Sequence, residues 1–246
     1  MFKLGLGLQG YTPSAIAFDS DAAAFFATAG VTDATAKSQI NDFVKGVKSL
    51  GLYNNMVCWP LRSSQNAGTG TTAYSLGGLG TFNGTLNAQA IWTDEGIDLT
   101  TATPSVAQIT TTAGATQPNT ILSVQKYSSS FNSIQVAYDG TSRQHHYKNS
   151  NATWNGFAGA NVSVGATIND SFSSLQFKFN STNGKLSLNG GSESTYNFGT
   201  NNLTNLRMGG GQRGAIQAFV MIVNADTSAN FYTLYKTTLG AGLGLP

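Results

Sequence analysis

Charge is what this sequence has least of. Only 10% of its 246 residues are Asp, Glu, Lys or Arg, against roughly 25% in an average soluble domain. The net charge of +2 leaves no basic face. The densest basic cluster, Arg143 with His145, His146 and Lys148, is short and has no basic helix to carry it. Nucleic-acid binding needs several phosphate-directed charges on one surface, so no nucleic-acid partner is expected. Acidic residues number only 11, which thins the supply of paired carboxylates for acid–base chemistry.

Cysteine is nearly absent as well. Cys58 stands alone, which excludes an intramolecular disulfide and points to synthesis in a reducing cytosol. It lies in the apolar stretch Met56-Val57-Cys58-Trp59-Pro60, where a buried, inert thiol is expected rather than a nucleophile. No run approaches the roughly 20 apolar residues that span a bilayer, so membrane insertion is not expected. The apolar start, Met1 to Gln9, is broken by glycines and followed by Thr12 and Pro13. That is too weak for the apolar core of a secretion signal. Six Asn-x-Ser/Thr sequons, at Asn83, Asn151, Asn161, Asn169, Asn180 and Asn202, are read as chance in a chain this rich in Asn, Ser and Thr.

What remains is 40% hydrophobic residues, enough for one sizeable core. Ser, Thr, Asn and Gly fill the turns and the solvent-facing strand positions. The first fifty residues read as helical. Asp19 or Ser20 caps a helix over Asp21 to Ala29, ended by Gly30, and Thr32 caps a second from Asp33 to Leu50, followed by Gly51. In the second helix Ile40, Phe43, Val44 and Val47 recur at helical spacing. This stripe must cover either the domain behind it or a neighbouring subunit, and these four residues are the candidate assembly face.

From about Leu52 the period shortens. Thr120 to Lys126, Ser133 to Tyr138, Ser174 to Phe179 and Lys185 to Leu188 read as strands separated by Gly, Asn and Ser clusters. In Leu175-Gln176-Phe177-Lys178-Phe179 apolar and polar residues alternate, which predicts one buried and one wet face. Asp139-Gly140 and Asn183-Gly184 are pairs that tight hairpins favour, and Asn189-Gly190-Gly191 closes the next strand. Phe219 to Val223 is apolar on both faces and belongs in mid-sheet. Asp226 or Thr227 caps a last helix running through Tyr232 and Tyr235. Strands joined by loops, without intervening helices, favour a sandwich over an α/β fold. The expected division is an N-terminal arm with helices at 1–51 and a β domain at 52–246.

The order of pieces in the second half is similar to a concanavalin A-like, laminin-G-like jelly roll. Leu175 to Asn189 reads as two strands, the second running into an Asn-Gly turn. Asn205-Leu206-Arg207-Met208-Gly209-Gly210, the apolar strand Ile216 to Val223, and Thr233-Leu234-Tyr235-Lys236 follow in the same order. The resemblance covers roughly residues 119–236. It implies a mainly β, antiparallel sandwich with short N-terminal helices and a short C-terminal helix. Nearly the whole chain also resembles structural proteins of bacteriophages. There a helix like Asp33 to Leu50, then Gly51-Leu52-Tyr53, then a strand like Met56 to Pro60 precede such a jelly roll. The Gly-Leu repeats at Leu4 to Leu8 and Gly240 to Leu245 fit that pattern.

These resemblances set the functional expectations. Retaining glycoside hydrolysis needs two carboxyls about 5 Å apart, and the glucanase pattern Glu-x-Asp-x-x-Glu is missing. Asp94-Glu95-Gly96-Ile97-Asp98 comes nearest, with Glu95 on the wrong side of a strand. His145 and His146 are adjacent, so on a strand they face opposite ways and cannot share a metal. No Gly-x-Ser-x-Gly elbow is present. Gly209 to Gly214 opens onto a strand, so it is no phosphate cradle. Calcium at a loop rim is the one ion the jelly-roll resemblance brings in, through Asp139, Asp170 or Asp226; otherwise no cofactor or metal is expected. Trp154 lies in the polar stretch Asn149 to Gly156 and reads either as a ring for stacking on a sugar or as a lid on the core. With Asn155, His145 and Tyr147 it forms the candidate ligand-binding set. The expectation is a non-enzymatic virion component, made in the host cytoplasm, whose partners are other virion proteins, sister subunits and host-surface glycan. The competing expectation is a lectin-like carbohydrate-binding module independent of a particle.

Overall fold

The computed structural model describes residues 17–100, 107–127, 134–137, 144–148, 153–166, 170–209 and 215–246. The Leu4 to Leu8 repeat, the Asp139-Gly140 turn and the glycine loop 210–214 lie outside them, as do the side chains of His145 and Tyr147. The chain opens with helices α1 (Ser20–Ala29) and α2 (Ala34–Ser49). Short strands follow: β1 (Met56–Pro60), β2 (Thr72–Ala73), β3 (Gly84–Leu86), β4 (Ile91–Trp92), β5 (Ile97–Asp98) and β6 (Gln108–Thr110). Next come β7 (Asn119–Tyr127), β8 (Ile134–Ala137), β9 (His145–Lys148), β10 (Thr153–Phe157) and β11 (Asn161–Ala166). The last set is β12 (Phe172–Phe179), β13 (Gly184–Leu188), β14 (Ser194–Tyr196), β15 (Arg207–Gly209), β16 (Ala215–Val223) and helix α3 (Tyr232–Thr237).

Among the described residues the strands form one large antiparallel sheet and two small ones. The large sheet runs β14-β13-β12-β7-β16-β5-β4, with β1 also paired to β16. The small sheets run β11-β10-β9-β8 and β15-β6-β3-β2. Alternation along each strand of the large sheet feeds two separate cores. Val57, Trp59, Ile121, Leu175, Phe177, Phe179, Val220 and Ile222 join residues of the small sheets, among them Ile109, Trp154 and Met208, in a sandwich core. Met56, Cys58, Leu122, Val124, Phe219, Met221 and Val223 point the other way, into a core shared with the helices. The chain is therefore a mainly β, jelly-roll type sandwich with helices on the outside of one sheet. As its sequence requires, β16 is central: from Gln217 to Val223 every residue is buried.

The helix stripe lies inside this molecule. Ile40, Phe43, Val44 and Val47 are fully buried, and the Phe43 ring meets Phe219 edge-on at 5.5 Å. Fully burying each such side chain contributes roughly 1.5–3 kcal/mol. The expected assembly face is thus corrected to an internal contact: these residues cover their own sheet. Helix α1 is fastened to α2 through its cap. The Asp19 carboxylate accepts from Asp21 N at 3.0 Å and from Lys48 Nζ at 2.7 Å, while Asp19 N donates to the buried Asn41 Oδ1. The second helix is capped by Asp33, whose carboxylate accepts from Ala36 N at 2.7 Å, and not by Thr32.

Other expectations shift in instructive ways. The final helix starts at Tyr232 rather than after Thr227, because Thr227 Oγ1 accepts from Ala229 N in a local turn. Asn183-Gly184 is no two-residue hairpin: a 3-10 turn at Ser181–Asn183 leads into β13, and Gly184 has extended backbone. By contrast Asn189 and Gly190 both take positive φ, 48° and 72°, which suits the tight turn expected there. The polar side of β12 is not wet. Gln176 is buried and reaches the loop ahead of α3, donating to Ala229 O at 2.7 Å and accepting from Phe231 N at 2.9 Å. Cys58 is buried, and desolvation pushes its thiol pKa well up, so it is held protonated. Among the described residues no helix is long and apolar enough to cross a membrane.

Candidate functional site

The same Gln176 clamp builds a cleft. It holds residues 229–231 against β12, and Asn230 Nδ2 adds a 3.3 Å bond to Gly190 O in the turn after β13. With the loop fixed at both places, Asp226, Thr227 and Ser228 stand along the sheet edge. There they face Lys178 at the end of β12, Asn180 and Asn183 around the 3-10 turn, and Lys185 on β13. The cleft encloses about 400 Å³. Every lining residue is polar or charged, so the walls offer ammonium and amide donors with carboxylate, amide and hydroxyl acceptors. No aromatic ring lines it.

Glu193 ties the basic side together. Its carboxylate pairs with Lys178 Nζ and, at 3.1 Å, with Lys185 Nζ. Burial pushes the Glu193 carboxyl upward, but the hydrogen bonds from the two lysines outweigh it and hold the group below its ordinary value. The lysines are register partners on neighbouring antiparallel strands, which is why one carboxylate reaches both.

A second, smaller cleft of about 300 Å³ opens at the other end of the large sheet. Thr100, Lys126, Tyr127, Asp170 and Ile216 line it. Lys126 pairs with Glu95 and lies over the Phe172 ring, 5.1 Å from its centre. Asp170 takes positive φ, 58°, and its N–H donates to Tyr127 O at 2.6 Å. Among the described residues no three His, Cys, Asp or Glu side chains gather as metal ligands. Asp170 and Asp226, two of the candidate calcium residues, line different clefts.

The ligand-binding set read from the sequence is only partly brought together. Tyr147 and Asn155 are register partners on β9 and β10, His145 pairs with Phe157, and Trp154 pairs with Lys148. Asn155 is buried; its Oδ1 accepts from Ser163 Oγ at 2.8 Å. Trp154 is a strand residue with 1% of its surface exposed, set edge-on against Tyr127 with ring centres 4.8 Å apart. A ring so placed cannot stack on an incoming sugar; it closes the sandwich core. The backbone explains this, for alternation turns Trp154 and Gly156 inward. Gly156 has no room for a side chain: a Cβ there would lie 2.5 Å from the Phe198 ring and 2.6 Å from Phe177. Sequence reasoning missed the polar cleft. Its one legible signal was the pair Lys178 and Lys185, set symmetrically about the turn that contains Asn183.

No family model matches the chain, and no curated protein matches it. Solved structures do share its fold. Trypanosoma rangeli sialidase superposes with a TM-score of 0.53 at 11% identity, over 83% of this chain and 40% of the sialidase. The same sialidase in complex with 2,3-difluoro-KDN gives a TM-score of 0.54 at 10% identity over the same shares. This chain therefore spans about two fifths of the sialidase's length. The CBM40 module of a Ruminococcus gnavus sialidase, bound to α2,3 sialyllactose, matches 46% of this chain with a TM-score of 0.39 at 16% identity, over 79% of the module. The sialidase neighbours correct one expectation. The sequence points to a chain that is not an enzyme, yet its fold is found within sialidases, so a non-enzymatic role does not follow from the fold.

Proposed function

We propose that this protein is a carbohydrate-binding module and that the polar cleft between β12–β13 and residues 226–228 is where it holds sugar. The observation that carries this reading is the cleft's composition. Sugar hydroxyls are paired donors and acceptors, and Asn180, Asn183, Asp226, Thr227 and Ser228 supply both from two fixed walls. The volume, about 400 Å³, suits one or two sugar rings. The fold neighbours support it from outside: sialidases that share this fold over two fifths of their length have been solved in complex with 2,3-difluoro-KDN and 2,3-difluorosialic acid. A place on a bacteriophage particle rests on sequence resemblance alone, and the neighbours add nothing to it.

A glycan array probed with the full chain, followed by calorimetry on the best binder, tests the reading. Binding that falls on Asn183→Ala and on Thr227→Ala is the expected result. Binding to no glycan, or binding that both substitutions leave intact, would overturn it. A fluorogenic sialoside in the same preparation reads hydrolysis separately.

A further inference from the structure

Lys178 and Lys185 stand directly opposite each other on antiparallel strands, and like charges so placed repel. Lys178 has little water to relieve this, its side chain being only 11% exposed. An ammonium in that position needs an anion beside it. In this structure Glu193 supplies the anion to both lysines. Glu193 lies just ahead of β14, whose paired residues begin at Ser194. Its side chain can therefore swing out without breaking the sheet ladder.

We propose that the two lysines form an anion seat for the carboxylate of an acidic sugar, and that Glu193 fills this seat until the sugar displaces it. The proposal rests on the reading of the cleft as a carbohydrate site and names the sugar class. One carboxylate replaces another, so neither ammonium is left bare during the exchange. The amides of Asn180 and Asn183 and the hydroxyls of Thr227 and Ser228 line the same space, ready for the sugar's hydroxyls. Asp226, on the opposite wall, repels a second carboxylate and accepts from a hydroxyl, which sets the direction in which an acidic sugar enters.

The test compares acids with their neutral esters. The full chain is titrated calorimetrically with N-acetylneuraminate and with glucuronate, each against its methyl ester. The acid is expected to bind more tightly than the ester, with an affinity that falls as salt rises. Lys185→Met keeps the stem and removes the charge; loss of a charge-assisted bond of about 1.5 kcal/mol or more weakens acid binding about tenfold. Glu193→Gln empties the seat and tightens acid binding several-fold, because no internal carboxylate competes. Equal affinity for acid and ester, no effect of Lys185→Met, or weakening by Glu193→Gln would each overturn the proposal. If neutral glycans bind at the cleft while neither acid does, the anion seat falls and the carbohydrate reading stands. If no glycan binds at all, both fall.

Discussion

On the helix-bearing side of the large sheet, the middle strands and the β12–β13 edge carry opposite chemistry. Beneath α2 and α3 the sheet presents Leu122, Val124, Phe219, Met221 and Val223, all fully buried. At the edge the same side presents Gln176, Lys178 and Lys185, roofed only by a loop. The difference follows from what covers each region. A helix brings an apolar stripe and has no backbone groups to spare, so the strand beneath it must be apolar too. A loop brings unpaired carbonyls and N–H groups that need partners, and Gln176 serves two of them at once. One side of one sheet thus splits into a part packed by apolar side chains and a part whose polar groups hold a loop and line a cleft.

This contrast can be broken at graded cost. Phe43→Ala should do most, about 3–5 kcal/mol in chemical denaturation, because Phe43 fills the space between α2 and Phe219. A cost below about 1 kcal/mol would show that the helix layer is not part of the cooperative fold. Gly156→Ala extends the contrast to the sandwich core: the new methyl would push into the Phe177 and Phe198 rings, and overpacking of this kind costs about 1–3 kcal/mol.

The Asp19–Lys48 contact should contribute less, within the roughly 0.2–1 kcal/mol typical of exposed pairs. Its sign with pH is fixed. The Lys48 hydrogen bond holds the Asp19 carboxyl below its ordinary value of 3.8, against a smaller upward push from burial. The stabilisation is therefore complete above that ordinary value and is lost as pH falls through the lowered one. Asp19→Asn keeps a capping side chain and should flatten that part of the stability–pH curve, read as Tm between pH 2 and 6. Asn183→Ala should change stability least, within about 0.5 kcal/mol, while sugar binding drops. A large loss of stability with binding retained would invert the roles of middle and edge.

How much could be read in advance depends on the range of the interaction. The cap at Asp19, the glycine stops at Gly30 and Gly51, and the apolar run of β16 are local patterns, and each stood where its residues required. The stripe Ile40, Phe43, Val44 and Val47 was legible as apolar but not as to what it covers, since periodicity fixes a face and not its partner. Trp154 misled because its neighbours Asn149, Ser150, Asn151, Thr153 and Asn155 are polar. Whether its ring points inward depends on strand phase and on room near Tyr127, neither of which is written in the segment itself. Lys178 and Lys185 were legible as a pair flanking a turn, but not as one wall of a cleft.

By itself the sequence determined the element types and the class of fold, because periods of 2.0 and 3.6 and turn residues act over a few positions. It also determined the chemistry on offer: few charges, one buried thiol, abundant amides and hydroxyls. Only the tertiary structure decided that the helices lie on their own sheet. It also decided that Trp154 closes a core and that residues 226–228, some forty positions from β13 in sequence, form the wall opposite two lysines. Contacts between distant segments depend on register and on how layers stack, and those are set by packing of the whole chain at once.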